Sequence, residues 1–327
     1  MKKNIAIVAG GDSGEYEISI KSGEQCLKQI DRTKYNPFLI HIKGTDWKTN
    51  INGSEVQVDK NNFSVIQNGN TVKFDCVVIA IHGTPGEDGR LQSYFEMMKV
   101  PYTTCGVLSS SLAFNKYACK HYLMPYGINT ARALLFHKSD KIEPEEVIKN
   151  LGLPCFIKPN NGGSSCGISK IIKPEEIIPA IEKALAEDSE VIVEEFVKGT
   201  EITCGVMKTI NRSLVFPITE IVSKKDFFDY EAKYTNGMAE EILPARIPEK
   251  IRLDCEKTSS LIYDRLFCRG IVRIDYIIRD EKLYFLEVNT VPGMTENSIV
   301  PRMIKAAGLT FTEILNDLIE DALANRK

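Results

Sequence analysis

Residues 271–294, IVRIDYIIRDEKLYFLEVNTVPGM, have the pattern of two β-strands joined by a tight turn. In both halves apolar residues occupy every second position, which is the period of a half-buried strand. The polar residues 280–282 separate the halves, so we expect the turn there and a pairing of Arg279 with Leu283. The predicted hairpin has one apolar face and one face that carries charged and amide side chains.

The register of this hairpin decides which polar side chains meet. With the pairing above, Asp275 lies opposite Glu287 and Arg273 lies opposite Asn289, all on one face. A two-residue turn would instead scatter these groups over both faces. Facing carboxylates repel each other, so a cation must compensate, and oxygen ligands of this kind suit Mg²⁺ or Mn²⁺ held with substrate phosphates. The alternative is an ordinary solvated strand face.

The segment after the hairpin favours a functional site over that alternative. Gly293 lies in the Thr-Val-Pro-Gly-Met stretch that directly follows Asn289. A glycine can offer an unhindered backbone N–H to a developing negative charge.

Composition limits the class of protein. The chain has 327 residues, enough for two or three domains, with a net charge of -3 that gives no electrostatic reason to expect nucleic acid or an anionic membrane as partner. The first apolar run, residues 5–9, is too short for a signal segment or a membrane span. The nine cysteines contain no C-x-x-C pair, so we expect neither a disulfide framework nor a zinc site, and a cytoplasmic location.

The N-terminal segment predicts a doubly wound α/β unit. Residues 4–9 form an apolar strand, a Gly-rich turn follows, and a helical stretch runs to about residue 30. The spacing of the glycines is not that of the dinucleotide fingerprint. Glu15, just after the turn, could meet an ammonium group or could simply be an acid favoured at a helix start. His82 begins a second Gly-rich loop, where it is either a substrate contact or a plain loop histidine.

A third Gly-rich loop, residues 160–167, lies between two apolar strands. A loop that joins two strands is not a Walker P-loop, but its successive N–H groups can still fold over phosphates. Lys158, at the end of the preceding strand, and Lys116, from a helix, could supply positive charge. For a single lysine the alternative is a solvated surface amine.

Two further segments carry unusual residues. The apolar strand at residues 191–197 contains two acids, which indicates that they bind something. Residues 226–244 are polar and aromatic with little periodicity, as is typical of a lid over an active site.

Together these motifs resemble those of the D-alanine–D-alanine ligases of the ATP-grasp superfamily. The resemblance covers nearly the whole chain, and its motifs are GGDSGEYEIS (10–19), HGTPGEDG (82–89), FNKYACK (114–120), KPNNGGSSCG (158–167), EEFVKGTE (194–201), DYEAKY (229–234), RIDY (273–276) and LEVNTVPGMTENSIVP (286–301). Their joint occurrence in this order is far more specific than any one of them.

The resemblance implies a fold of mixed α/β and α+β class. An N-terminal domain with a doubly wound parallel sheet, residues 1–104, would hold substrate. A two-part ATP-grasp fold would follow, with a central domain at 105–193 and a C-terminal domain carrying the metal site at 194–327. ATP would be gripped between these two parts.

The resemblance also assigns roles residue by residue. It implies that the adenine lies at residues 194–197, the ribose at Glu201 and the phosphates at the lysines. The implied ATP-binding residues are Lys116, Lys158, Glu194, Glu195, Phe196, Val197, Glu201 and Lys233. It implies that two Mg²⁺ or Mn²⁺ ions are bound by Asp275, Glu287 and Asn289. It implies that the two D-alanines and the tetrahedral intermediate are bound by Glu15, Ser164, Tyr234, Arg273, Gly293 and Ser298, with Ile299 beside Ser298. In these roles Glu15, Ser164 and Tyr234 form a latch, and Glu15 also receives the first substrate's ammonium group.

The implied activity is the ATP-dependent ligation of two D-alanines through an acyl phosphate, for peptidoglycan precursor synthesis. Tyr234 favours D-alanine over D-lactate as the second substrate. We expect a homodimer with no nucleic-acid or membrane partner. The alternatives are another ATP-grasp carboxylate–amine ligase and a non-catalytic ATP-binding regulator, but a regulator would be expected to lack a metal ligand or a phosphate-binding lysine.

Overall fold

The computed structural model describes residues 2–163, 167–223 and 239–325. Within these ranges the strands form three main sheets and one small hairpin. Ser164, Lys233 and Tyr234, which the sequence places in the site, lie outside the described residues. No helix in the described ranges is both long enough and apolar enough to cross a bilayer.

The first sheet has a parallel core, as predicted. The strand order is β4-β3-β2-β1-β7, in which β1 pairs in parallel with β2 and β7, while β3 and β4 add an antiparallel edge beside β2. Asn-Gly turns with positive φ at both residues close two short hairpins, at 52–53 and 68–69. The elements are β1 Lys3–Gly10, α1 Tyr16–Gln29, β2 Tyr35–Lys43, β3 Asp46–Ile51, β4 Ser54–Gln57, β5 Ser64–Gln67, β6 Asn70–Lys73, β7 Cys76–Ile79 and α2 Arg90–Met97.

The second sheet is antiparallel, in the order β10-β9-β11-β8, and confirms that the third Gly-rich loop joins two paired strands. Residues 107–123 form two helices, because Asn115 leaves the helical conformation and caps the second of them. The elements are α3 Val107–Phe114, α4 Lys116–Leu123, a 3₁₀ turn Met124–Tyr126, β8 Ala133–His137, α5 Pro144–Leu151, β9 Cys155–Pro159, β10 Ser169–Ile171, a 3₁₀ turn Pro174–Glu176, α6 Ile177–Leu185 and β11 Glu190–Glu195.

The third sheet contains the acidic hairpin of residues 270–289. Its order is β15-β14-β12-β16-β17, with β13 paired to β12, and all of these pairs are antiparallel. The elements are β12 Thr200–Lys208, β13 Ser213–Val215, β14 Thr219–Ser223, β15 Ala239–Ile242, α7 Glu249–Arg265, β16 Gly270–Arg279, β17 Lys282–Asn289, α8 Ile299–Ala306 and α9 Phe311–Ala324.

The hairpin has the predicted facing pairs but not the predicted turn. Asp275 pairs with Glu287 and Arg273 with Asn289, which confirms the register at the site. The pairing of Arg279 with Leu283 was wrong, because Arg279 pairs with Lys282 across a two-residue turn.

A bulge reconciles these two findings. The two turn residues, Asp280 and Glu281, both have positive φ (50° and 58°), as a tight turn of the I′ type requires. The register then shifts by one between Asp275 and Tyr276, so that Leu286 is left over on β17. The two-residue turn therefore does not scatter the polar groups, since the extra residue restores their common face.

One apolar core joins the first and third sheets. Ile7 of β1, Met303 of α8 and Ile319 of α9 belong to the same buried cluster, together with Met294 from the loop after β17. The loop at residues 290–294 is therefore fixed between the N-terminal sheet and the C-terminal helices.

Candidate active site

Asp275 is the centre of the polar face of the hairpin. Its two carboxylate oxygens accept hydrogen bonds from Arg273 Nε (2.9 Å) and Arg273 Nη2 (2.8 Å). Thr203, which lies opposite it on β12, donates its hydroxyl at 2.5 Å, and Asn289 Nδ2 donates at 3.3 Å. Of the four side chains that the sequence placed on one face, Arg273, Asp275 and Asn289 are therefore in contact.

The same face opens into a cleft that the Gly-rich loop also lines. Glu287 and Asn289 form one wall of this cleft, and Lys116, Gly162 and Gly163 form another. The Lys116 ammonium donates to the carbonyl of Gly162 at 2.5 Å. Tertiary folding thus brings the acidic hairpin to the lysine-flanked glycine loop, which are separated by more than a hundred residues in the sequence.

The donor set in this cleft fits a divalent cation. Asp275, Glu287 and Asn289 offer carboxylate and amide oxygens, the ligands that Mg²⁺ and Mn²⁺ prefer. The described residues contain no cluster of three or more His, Cys, Asp or Glu placed to bind a metal, and the set on this hairpin consists of two acids and one amide.

Lys158 lies beside the cleft in a buried ion pair. Its ammonium is 2.6 Å from Glu194 Oε2, and Glu194 Oε1 contacts the ammonium of Lys120. Burial, reinforced by the Lys116 charge and opposed by Glu287, lowers the pKa of Lys158 to about 8.

The segment expected to meet adenine connects the second and third sheets. Glu195, at the end of β11, accepts from the backbone N (2.9 Å) and Nε (2.8 Å) of Arg132. The ring of Phe196 is tilted by 57° against that of Phe156, with the ring centroids 5.7 Å apart, and Val197 is buried. The side chains of both acids in the strand are thus bound to basic residues, and the backbone N–H groups of Glu195 and Phe196 donate to the carbonyls of Arg132 and Pro154. The other backbone polar groups of this segment are the part suited to adenine.

Two of the predicted residues lie beside the site on other elements. Glu201 is half-buried at the start of β12, alongside Ile277 of β16. Glu15 is buried at the start of α1, and a Cβ placed on Gly163 would lie 3.5 Å from its Oε2. Glu15 therefore lies against the Gly-rich loop, as the expected latch requires.

Gly293 and Ser298 face each other. A Cβ on Gly293 would lie 2.9 Å from Ser298 Oγ, so the close approach depends on glycine at this position. Ser298 precedes the first turn of α8 and exchanges a 2.7 Å hydrogen bond with Thr295 Oγ1. The N–H groups at the start of α8 are thus available near Gly293 for an anion such as a carboxylate.

The loop that carries Gly293 is held by the N-terminal sheet. Glu87 accepts from the backbone N–H of Val291 (3.1 Å) and of Gly83 (2.7 Å). His82 Nδ1 donates to the Val291 carbonyl at 2.8 Å, since a carbonyl can only accept, and its Nε2 accepts from Ser22 Oγ at 3.0 Å. His82 therefore positions the loop.

Sequence reasoning missed several of these partners. In the sequence Glu87 is only one residue of a Gly-rich loop, and Arg132 and Thr203 belong to no recognisable motif. Lys120 had a usable signal, because it follows Lys116 by four residues and so shares a helix face with it. Its pairing with Glu194, 74 positions away, could not be read from that spacing.

Comparison with known proteins identifies the relatives of the chain. The family model for the D-ala D-ala ligase N-terminus matches residues 4–105, and the model for the D-ala D-ala ligase C-terminus matches residues 123–320. The chain is 48% identical over 323 residues to a D-alanine–D-alanine ligase of Bacteroides fragilis, covering 98% of this chain and 99% of the relative. It is 49% identical over 331 residues to one of Parabacteroides distasonis, covering 100% and 99%.

Solved structures agree over the full length. A D-alanyl-alanine synthetase A from Vibrio cholerae superimposes with a TM-score of 0.90 at 29% identity, covering 99% of each chain. A D-Ala:D-Ser ligase from Enterococcus faecalis gives 0.87 at 32% identity, covering 98% and 99%. A D-alanine–D-alanine ligase from Bacillus anthracis complexed with ATP gives 0.80 at 30% identity, covering 100% and 98%.

Proposed function

Because the chain belongs to the D-alanine–D-alanine ligase family, we propose that it joins two D-alanine molecules with ATP in the cleft between the hairpin and the Gly-rich loop. The observation that carries this proposal is that Glu287 and Asn289 share one cleft with Lys116 and the loop glycines. Carboxylates on one wall and ammonium groups on the other suit a nucleotide triphosphate with its cation. The alternative of a different carboxylate–amine pair is not favoured.

We assign the nucleotide to the lysines and the strand-connecting segment. Lys116 and Lys158 would bind the phosphates, helped by Lys233 from outside the described residues. Residues 194–197 would contact adenine, chiefly through their backbone, and Glu201 the ribose. Asp275, Glu287 and Asn289 would hold Mg²⁺ or Mn²⁺, which when bound neutralises phosphate charge and aligns the phosphate oxygens.

In the first step a carboxylate oxygen of the first D-alanine attacks the γ-phosphorus of ATP. The bond from that phosphorus to the β-bridging oxygen breaks, giving an acyl phosphate and ADP. Phosphoryl transfer needs positioning and charge neutralisation more than covalent chemistry. Lys116, Lys158 and Arg273 supply the positive charge, and Glu15 binds the ammonium group of the first D-alanine.

In the second step the amine of the second D-alanine, having lost a proton, attacks the carbonyl carbon of the acyl phosphate. The bond from the carbonyl carbon to the phosphate oxygen then breaks, and inorganic phosphate leaves with the second proton of the amine, which gives the new peptide bond. Arg273 and the Gly293 N–H stabilise the oxyanion of the tetrahedral intermediate, while Ser298 and the Ile299 N–H bind the second substrate's carboxylate. Glu15, with Ser164 and Tyr234, would form a latch that excludes water from the acyl phosphate.

The three-domain division, 1–104, 105–193 and 194–327, is part of the same proposal. The three main sheets support it, because they are built in turn from β1–β4 with β7, from β8–β11 and from β12–β17. β11 closes the second sheet at Glu195. A cytoplasmic location follows from the need for intracellular ATP.

We further propose a homodimer. Met97, Leu108 and Phe267 are large apolar side chains that are 73%, 64% and 59% exposed. The Ser109 hydroxyl donates to the Phe267 carbonyl, which places the last two side chains on neighbouring segments. We expect light scattering at micromolar concentration to give twice the chain mass, and a monomer mass for Leu108→Glu. A wild-type monomer would contradict the proposal.

The function is tested by phosphate release from ATP in the presence of different second substrates. We expect release with D-alanine alone, formation of D-alanyl-D-alanine in equal amount, and little release with L-alanine. Assays with D-serine or D-lactate added to D-alanine measure how selective the second substrate site is for D-alanine. Release that does not depend on D-alanine would refute the proposed reaction.

The depressed pKa of Lys158 predicts how nucleotide affinity depends on pH. Phosphate prefers the ammonium form, so binding must restore the proton that Lys158 loses above about pH 8. We expect the affinity for ADP to be constant below pH 8 and to fall by up to about tenfold per unit above it. In Lys158→Arg the guanidinium stays charged, so the fall should disappear. An equal fall in both proteins would mean that another group titrates.

A further inference from the structure

Lys120 is the most deeply buried charged side chain near the site. It lies on α4 and is 1% exposed, and its ammonium donates to Glu194. Lysines are almost never fully buried unless they are paired, because removing an ammonium from water costs free energy. The burial of Lys120 therefore indicates that its charge acts on Glu194.

Glu194 is shared between two lysines. One carboxylate oxygen contacts Lys120, and the other is 2.6 Å from Lys158, while Glu194 itself is only 4% exposed. If Lys158 were its sole counter-ion, incoming phosphates would have to compete with a buried carboxylate for that ammonium. They would also be repelled by the carboxylate at short range.

We propose that Lys120 is a positioning residue for nucleotide binding, which balances the charge of Glu194 so that Lys158 stays available to the phosphates. Lys120 need not touch the nucleotide in this role. The inference rests on the proposed function, in which Lys158 contacts phosphate.

The position of α4 supports this role. Lys116 and Lys120 are one helical turn apart, so they share a face, and Lys116 contacts Gly162 while Lys120 contacts Glu194. The start of the helix is fixed, because Asn160 Oδ1 accepts from the backbone N–H of Tyr117 at 2.9 Å and Asn160 is fully buried. The same helix thus holds one ammonium at the glycine loop and the other behind Glu194.

The test compares loss of the charge with its retention. Lys120→Met removes the ammonium but keeps the volume, and Lys120→Arg keeps the charge. Lys183→Met, at an exposed position of α6, is the matched control for the substitution itself. Calorimetry with MgADP gives the nucleotide affinity without turnover, and steady-state assays give kcat and the KM values for ATP and D-alanine.

We expect Lys120→Met to weaken MgADP binding and raise KM for ATP at least about tenfold, with smaller changes in kcat and in KM for D-alanine. Lys120→Arg should stay within about threefold of the wild type, and Lys183→Met should match it. If Lys120→Met does not fold, Lys120→Gln, which keeps a donor but no charge, replaces it.

Two results would overturn the inference. One is an unchanged nucleotide affinity in folded Lys120→Met. The other is an effect of Lys120→Arg as large as that of Lys120→Met, which would show that only side-chain packing matters. Neither depends on the identity of the amino-acid substrate, whereas failure of the proposed function would appear as absent D-alanine-dependent phosphate release in the wild type.

Discussion

Replacing Glu287 with Gln is expected to lower kcat by at least about 100-fold while the protein keeps its fold. Loss of a group that only orients a metal ligand typically costs 10–100-fold, so loss of a charged ligand should reach or exceed that range. Glu287 faces Asp275 across the hairpin and lines the cleft beside Asn289. The substitution preserves shape and removes one negative charge, so it tests the charge itself.

The measurement is phosphate release at saturating ATP and D-alanine over a range of Mg²⁺ concentrations. Glu281→Gln is the matched control, because it makes the same change in the same hairpin at a side chain that is 75% exposed. We expect the control to behave like the wild type. Near-normal turnover of Glu287→Gln with unchanged Mg²⁺ dependence would remove Glu287 from the metal site.

Arg273→Lys is expected to lower kcat by about 10²–10³-fold, the range found when one donor to a developing oxyanion is lost. Burial opposes the charge of Arg273, but Asp275 and Glu287 outweigh it and raise the pKa of the guanidinium above its ordinary value. The guanidinium holds both oxygens of Asp275 and has further N–H groups for the intermediate, whereas one ammonium cannot do both.

The control for this variant is Arg279→Lys on the same strand, where the side chain is 41% exposed. Thermal unfolding of both variants separates a loss of stability from a loss of transition-state binding. We expect KM for ATP to change much less than kcat in Arg273→Lys. If both parameters and the melting temperature stay close to wild type, Arg273 has no part in the reaction and serves only as a neighbour of Asp275.

Much of the site could be predicted because its signals are local. The alternation of apolar residues in β16 and β17 fixes which side chains share a face, and the facing of Asp275 with Glu287 was confirmed. The Gly-rich loop between two apolar strands was likewise readable from residue types alone. The joint motifs also indicated the family, which the comparisons confirmed.

The turn and its bulge could not be predicted from this alternation. A period of two does not reveal where one extra residue enters a strand, and Leu286 looks like any other strand residue. The pairing of the two strands determines where the extra residue lies. The tight turn at Asp280 and Glu281 imposes one register on the hairpin, and the facing acids near the site impose another.

The strands, the glycine loop and the face on which the acids lie follow from residue order alone, since each depends on neighbours a few positions apart. Long-range packing is what pairs Lys120 with Glu194, Arg132 with Glu195, and Glu87 and His82 with the backbone of Val291. These partners are 63 to 209 positions apart. Buried charges and backbone groups take whichever partner the packed sheets bring within reach, and no local period records that choice.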